Sequence, residues 1–291
     1  GTNARLGGGD WVLVEADESD GSFVRLPAMI SVVTNIDAEH LDYYGDFDAL
    51  RRAFQTFVEN IPFYGLAVLC GDHEEVRSMI GRITDRRLVT YGLNSPADVR
   101  GCDLSPTTSG AQFNVQLGGR SGGAGRLING IELSMPGAHN VRNALAAVAV
   151  AVELGIGDNA IRNALAKFEG VKRRFTVVGE ATGVTIVDDY GHHPVEIAAV
   201  LATARERCAG RVIAVVQPHR YSRTRDLLGE FGTALAGADE IVLTNIYSAG
   251  EERLPGVGVK ELAEVVRSST KAKVQVVEEV EEMASALVGV T

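Results

Sequence analysis

Residues 186–196 read IVDDYGHHPVE, which sets two carboxylates, a tyrosine, a glycine and two histidines between a β-branched run and a proline able to open a helix. In open α/β sheets, ligands bind in the crevice beyond the carboxyl ends of the strands. If residues 185–187 form such a strand, Asp188, Asp189, Tyr190, His192 and His193 lie in that crevice; a solvated loop is the plain alternative. A second dense stretch, QPHRYSRTRD (217–226), follows the apolar run RVIAVV and gathers His219, Arg220, Arg223 and Arg225. Guanidinium forks match the oxygens of carboxylates and phosphates. The same arginines could instead be surface partners of acids such as Asp226 and Glu230.

Three further stretches carry chemistry. In VEADESDGSF (14–23), Glu15 ends an apolar run and Asp17, Glu18 and Asp20 follow. Carboxylates converging at a strand end suit a hard cation such as magnesium, although a solvated acidic turn has the same composition. In TNIDAEHLDYYG (34–45), His40 sits among Asp37, Glu39 and Asp42. In PGAHNVRNALAA (136–147), Asn140 and Asn143 are three apart and share one helix face. A helix N-terminus favours anions. Asn140 equally suits an N-cap, whereas Asn143 is a poor residue for a helix interior. The glycine-rich LGGRSGGAG (117–125) lacks the GK[ST] ending and precedes a hairpin pattern, so it is read as a flexible turn and leaves the sequence without a phosphate loop.

The elements that must position these residues alternate along the chain. Strands are expected at 11–15, 29–35 and 65–70, and helices at 47–59 and 73–80. Short alternating runs from 98 to 135 predict antiparallel hairpins. A helix follows at 138–154, and another, capped by Asp158, runs to near Gly170. After the basic link KRRF (172–175), strands at 183–188, 211–217, 240–245 and 272–277 alternate with helices, which implies a parallel, doubly wound sheet. The fold class is therefore α/β, with units at 1–171 and 172–291. The chain starts without a complete first β-α unit and stops just after a helix, so it is expected to be a piece of a longer protein whose last strand is missing.

Composition agrees with two globular units, at 291 residues, 45% hydrophobic and 23% charged. No run approaches the roughly 18 apolar residues of a membrane span, and residues 1–10 carry no signal-peptide pattern. Cys70, Cys102 and Cys208 stand singly, which favours a reducing cytoplasm over a disulfide framework. A net charge of -10 argues against nonspecific nucleic-acid binding, so an anionic ligand must meet local positive clusters.

In order, VEADESD, TNIxxxHLDYY, NIPFYG, GxHNVRNALAA, RRF, DDYGHHP and QPHRYSRTRD resemble the Mur ligases of peptidoglycan synthesis over nearly the whole chain. The resemblance implies the rest of a central ATPase domain, after its phosphate loop, followed by most of a Rossmann-like carboxy-terminal domain. QPHRYSRT with DDYGHHP favours a member that joins L-alanine to the carboxylate of UDP-N-acetylmuramate. ATP first phosphorylates that carboxylate, and the amine then attacks the acyl phosphate. By the same resemblance Glu15 and His40 bind magnesium, while Asn140 and Asn143 contact the nucleotide. Arg174 and Asp189 reach ATP. Tyr190, His192, His219, Arg220 and Arg223 line the place where alanine and the muramoyl carboxylate meet. The residues given the catalytic roles are Asn143, Arg174, Asp189 and His192. A bacterial cytoplasmic enzyme follows, with no nucleic-acid or membrane partner. The family's GTHGKTT-type loop is absent, so these residues alone are expected to be inactive. A murein-peptide recycling ligase, a folylpolyglutamate-synthetase-like ligase and a truncated binding module are the other readings.

Overall fold

The computed structural model describes residues 4–94, 96–107, 110–118 and 125–288. The first unit is built on one mixed sheet. Its strands are β1 (Ile30–Val33), β2 (Leu66–Cys70), β3 (Arg87–Gly92), β4 (Val99–Pro106), β5 (Ala111–Leu117) and β6 (Arg126–Leu133), paired in that order. β1 to β4 run parallel, and β4, β5 and β6 are antiparallel. β2 is buried at every position, as expected of a strand covered on both faces. One face carries α1 (Leu41–Tyr44), α2 (Phe47–Glu59) and α3 (Glu74–Ile80), with Phe57, Val58, Leu69 and Val76 in its core. The other is covered by α4 (Ala138–Glu153) and α5 (Asp158–Ala166), which bury Val141, Leu145 and Ile161 against Val68, Tyr91 and Phe113. The α2 start follows from chemistry: Asp46 is extended and its carboxylate accepts from the Ala49 amide at 2.7 Å.

The second unit opens with a hairpin, β7 (Thr176–Ala181) and β8 (Val184–Asp188), joined by Thr182 and Gly183 at φ 50° and 82°. Two adjacent positive φ angles give the tight turn whose twist matches paired strands. There follow α6 (Pro194–Arg207), β9 (Ile213–Val216), α7 (Tyr221–Asp226), α8 (Leu228–Leu235), β10 (Glu240–Leu243), α9 (Val259–Ser269), β11 (Lys273–Val276) and α10 (Met283–Val288). The parallel sheet has the order β11-β10-β9, with Phe231, Leu235, Ile241 and Leu262 at its core.

Four local expectations change. Residues 11–15 form no strand; Val12 and Leu13 are 86% and 97% exposed, because no strand among the described residues pairs with them. The strand at 183–188 pairs antiparallel with β7 and lies outside the three-stranded parallel sheet, because the tight turn folds it back on the preceding run. β3 was not expected; Val89 and Tyr91 are buried in the core on one face, and Leu88 packs against the core on the other. Asp158 is the first residue of α5, not its cap, and pairs with Arg126. Residues 119–124 of the glycine-rich turn lie outside the described residues. Among the described residues no helix is long and apolar enough to cross a membrane.

Candidate active site

The loop after β1 holds the first group of titratable residues. Thr34 Oγ1 donates to Asn35 Oδ1 at 2.8 Å, and Asn35 Nδ2 donates to Asp37 Oδ2 at 2.7 Å. His73 Nε2 lies 3.5 Å from Asp37 Oδ1. Burial alone would raise the Asp37 pKa, but His73, Asn35 and the nearby His193 hold it below the usual carboxylate range. His40 starts α1 with φ 55°, an uncommon backbone state for a residue other than glycine. The Tyr44 hydroxyl donates to the Glu18 carbonyl at 2.6 Å and ties the acidic segment to α1; burial and the Glu18 charge push its phenol up to about 12.

This packing brings Glu18, Glu39 and His40 together. His40 Nε2 is 3.7 Å from Glu18 Oε1 and 3.9 Å from Glu39 Oε2, and one ligand atom from each residue lies within 4.8 Å of the others. Glu39 Oε1 is buried and accepts no aligned hydrogen bond. Two carboxylates and an imidazole fit a divalent cation. Glu15 is exposed and outside this group.

The turn after β8 is held from inside. Asp189 accepts from the amides of Phe175 and Gly191, both at 2.7 Å, and the Tyr190 amide donates to the Arg173 carbonyl at 2.8 Å. The Arg173 guanidinium lies 4.5 Å from the Tyr190 ring centre. Glu196 accepts from the His192 and His193 amides at 3.0 and 3.2 Å, while His193 Nδ1 accepts from Val195 at 3.3 Å. This reciprocal cap fixes the start of α6. Burial works to raise the Glu196 pKa, but those two amides, the His192 charge and Arg174, 3.3 Å away, lower it. With Nδ1 accepting, the His193 proton belongs on Nε2, which is buried without a hydrogen-bond partner. Burial lowers the His193 pKa against the pull of Glu39 and Asp37.

The third group comes from the loops after β9 and β10. Because these strands are parallel neighbours, His219 and Tyr247 meet in a backbone bridge just past their ends. The His219 ring stacks on His192 at 5.4 Å and packs on Tyr247 at 4.9 Å and Tyr190 at 5.7 Å. Burial first, then His192, Arg223, Arg173 and Arg220, lower the His219 pKa. Arg223 Nη2 crosses to Glu39 Oε1 at 3.2 Å, and both side chains are mostly buried. Arg220 Nη1 lies 3.9 Å from both Asp42 and Glu251. A cleft between the two units is thus lined by Glu39, His40, Asp42, Arg220, Ser222 and Arg223. Arg225 points away and pairs with Asp226 at 2.7 Å, as the surface alternative has it.

The remaining expected residues are more scattered. Asn140 is buried and donates to the Pro136 carbonyl at 2.7 Å, whereas Asn143 is exposed on α4. Gly137 caps α4 with φ 92°, and a Cβ there would meet Thr203 Oγ1 of α6 at 2.5 Å. Only glycine permits this approach of the two units.

Residues 7–151 match the Mur ligase middle domain, and residues 173–290 match the glutamate ligase domain of Mur ligases. The chain belongs to the Mur ligase family. A UDP-N-acetylmuramate–L-alanine ligase of Cereibacter sphaeroides is 60% identical over 262 residues, covering 90% of this chain and 55% of that protein. One from a Bradyrhizobium species is 58% identical over 257 residues, covering 88% and 55%. The crystal structure of a UDP-N-acetylmuramate–alanine ligase from Thermotoga maritima superposes with a TM-score of 0.68 at 29% identity, over 92% of this chain and 55% of that one. This Mur ligase chain thus spans a little over half the length of the relatives it matches.

Of the residues singled out in the motifs of this Mur ligase chain, His40, Arg220 and Arg223 line the cleft, while Tyr190, His192 and His219 pack on one another and on Tyr247. The motif reading passed over Tyr247 and Glu251 in IYSAGE (246–251), which follow β10 as QPHRYSRTRD follows β9. The signal available was that same position past a strand end. It also named Glu18 and Glu39 only as neighbours of the cation site, and these are the acids that surround His40.

Proposed function

We propose that this chain supplies the ATPase and amino-acid-adding domains of a UDP-N-acetylmuramate–L-alanine ligase, which uses ATP to join L-alanine to the muramoyl carboxylate through an acyl phosphate. The reaction belongs to peptidoglycan precursor synthesis in the bacterial cytoplasm. The observation that carries the reading is Arg223 reaching Glu39 beside His40, so that an anion-recognising cluster of one domain faces a cation-recognising cluster of the other. Acyl-phosphate chemistry needs both, because negative charge accumulates on the transferring phosphoryl group.

His40, with Glu18 and Glu39, would hold magnesium, which when bound offsets phosphate charge. Glu15 stands three residues before Glu18 and joins them only if the exposed segment 11–15 moves. Asn140 and Asn143 at the start of α4 are assigned to the nucleotide, Asn143 by a direct contact and Asn140 by fixing the helix entrance. Arg174 reaches ATP from the inter-domain link. Asp189 acts by holding that link to the turn at Gly191. Arg220 and Arg223 grip the muramoyl carboxylate, and Tyr190 and His192 shape the alanine pocket. His219, kept neutral by burial and surrounding cations, is suited to take a proton from the alanine ammonium at neutral pH.

The test is phosphate release from ATP by a full-length ligase containing these residues, measured with UDP-N-acetylmuramate and with or without L-alanine. Release independent of alanine, or a preference for a murein tripeptide or for glutamate with a folate, refutes the assignment.

A further inference from the structure

Arg220 stands in a costly position. It is not glycine, yet it adopts φ 67° and ψ 135° immediately before α7. A backbone state of this kind persists only where the surroundings over-determine it. Beyond Thr224 of α7 itself, whose amide and hydroxyl donate to the Arg220 carbonyl, the surroundings here are the loop after β10. The Arg220 amide donates to the Tyr247 carbonyl at 2.8 Å, and the Tyr247 amide donates to the Pro218 carbonyl at 2.8 Å, so the two loops are laced on either side of His219. Glu251, midway along the same loop, closes the other side. Its Oε2 accepts from the Ser222 amide at 3.0 Å and its Oε1 from the Ser222 hydroxyl at 2.6 Å. The same Oε1 lies 3.9 Å from Arg220 Nη1. A carboxylate at the first turn of a helix satisfies amides that have no partner within it.

From this arrangement we infer that Glu251 is a positioning residue for substrate recognition: it fixes the first turn of α7 and thereby holds the Arg220 guanidinium in the inter-domain cleft, ready for the carboxylate-bearing substrate. Asp42, from the facing domain, lies at the same 3.9 Å from that guanidinium. Glu251 therefore does more than neutralise Arg220, since an acid is already supplied from across the cleft. Its distinct contribution is the pair of bonds to Ser222. Glu251 touches no reacting atom in this scheme; it acts through Arg220. The inference rests on the proposed role of Arg220, so its test has one arm that needs no activity.

That arm uses the 291-residue chain. Phenylglyoxal modification of Arg220, followed by peptide mass spectrometry, reports how freely the guanidinium moves. Glu251→Ala should speed modification of Arg220 about fivefold or more and leave Arg87, which pairs with Glu153 far from the cleft, unchanged. Glu251→Asp, which keeps the charge and can still accept from Ser222, should recover part of the protection. Equal rates for Arg220 in the parent and Glu251→Ala overturn the inference, and so does equal acceleration at Arg87, which marks general loosening. In a full-length ligase, Glu251→Ala should raise KM for UDP-N-acetylmuramate about tenfold while kcat stays within about threefold. Faster labelling with an unchanged KM also overturns it. A parent ligase that does not use UDP-N-acetylmuramate at all sinks the functional reading instead, while the labelling arm still decides whether Glu251 holds Arg220.

Discussion

Replacing Arg223 with glutamine removes the guanidinium that reaches Glu39 across the two domains. The pair is 3.2 Å apart, with the two side chains 11% and 21% exposed. At that distance two unit charges attract by about 5 kcal/mol with an effective dielectric constant near 20. Desolvation and the ordering of two long side chains offset most of this, which leaves a net coupling of about 1–2 kcal/mol. The single variant should cost more than the coupling, about 2–3 kcal/mol, because it strands a partly buried Glu39 among Glu18, Asp37 and His40 without its cation. Glu39→Gln should cost less, since it relieves the carboxylate crowding while losing the pair. Urea unfolding of the 291-residue chain, run as a double-mutant cycle over Arg223→Gln and Glu39→Gln, measures the coupling directly. A coupling energy below about 0.5 kcal/mol would falsify the claim that this contact holds the cleft together.

Gly137→Ala should destabilise by about 2–4 kcal/mol, from its left-handed backbone and the 2.5 Å approach to Thr203 Oγ1, and Gly137→Ala with Thr203→Ala should recover part of that loss in the same urea assay. His139 is held below its usual pKa by burial, with Asp189 and Glu196 opposing and Arg142 and Arg174 assisting. The unfolded chain therefore binds the extra proton first, and the stability contributed by neutral His139 is present above pH 6.5 and lost as pH falls towards the lower folded value. His139→Gln should flatten the decline of stability just below pH 6.5, and an unchanged slope in urea titrations at several pH values rejects this account. Manganese, followed by electron paramagnetic resonance as a stand-in for magnesium, should bind the chain about tenfold more weakly after His40→Ala or Glu39→Gln, a change of about 1.4 kcal/mol, and about equally well after Glu15→Gln; an equal loss for Glu15→Gln moves the cation to the 11–15 segment.

Some of this structure was legible because local and long-range signals agree. Helix α2 was expected with the bounds it has from its apolar spacing and the stop at Pro62, and the cap that Asp46 supplies in the fold agrees with that start. β5 was legible because every second residue is buried. The run WVLVE was misread for a physical reason: a contiguous apolar stretch is a strand only when neighbours bond to it, and pattern alone does not supply the neighbour. The pairing of β8 with β7 was missed because the turn at Thr182 and Gly183 was passed over in favour of a parallel reading. The site divides in the same way. His40, His192, His219 and Arg223 were visible as dense polar motifs past apolar runs. Glu251 was invisible until the order β11-β10-β9 set its loop against α7, because side-by-side strands decide which loops meet.

The open side of the first sheet has a consequence for how the chain behaves in a test tube. Among the described residues β1 bonds only to β2, and Trp11, Val12, Leu13 and Val14 stand in water a short distance upstream. An unpaired strand edge is a template for another chain, and an exposed run of greasy side chains elsewhere on the molecule supplies the adhesive. Colloidal lifetime is then governed by how often molecules collide, so turbidity should rise steeply with concentration at temperatures where every molecule is still folded. A lysine at Val12 would extend shelf life without adding to thermal stability.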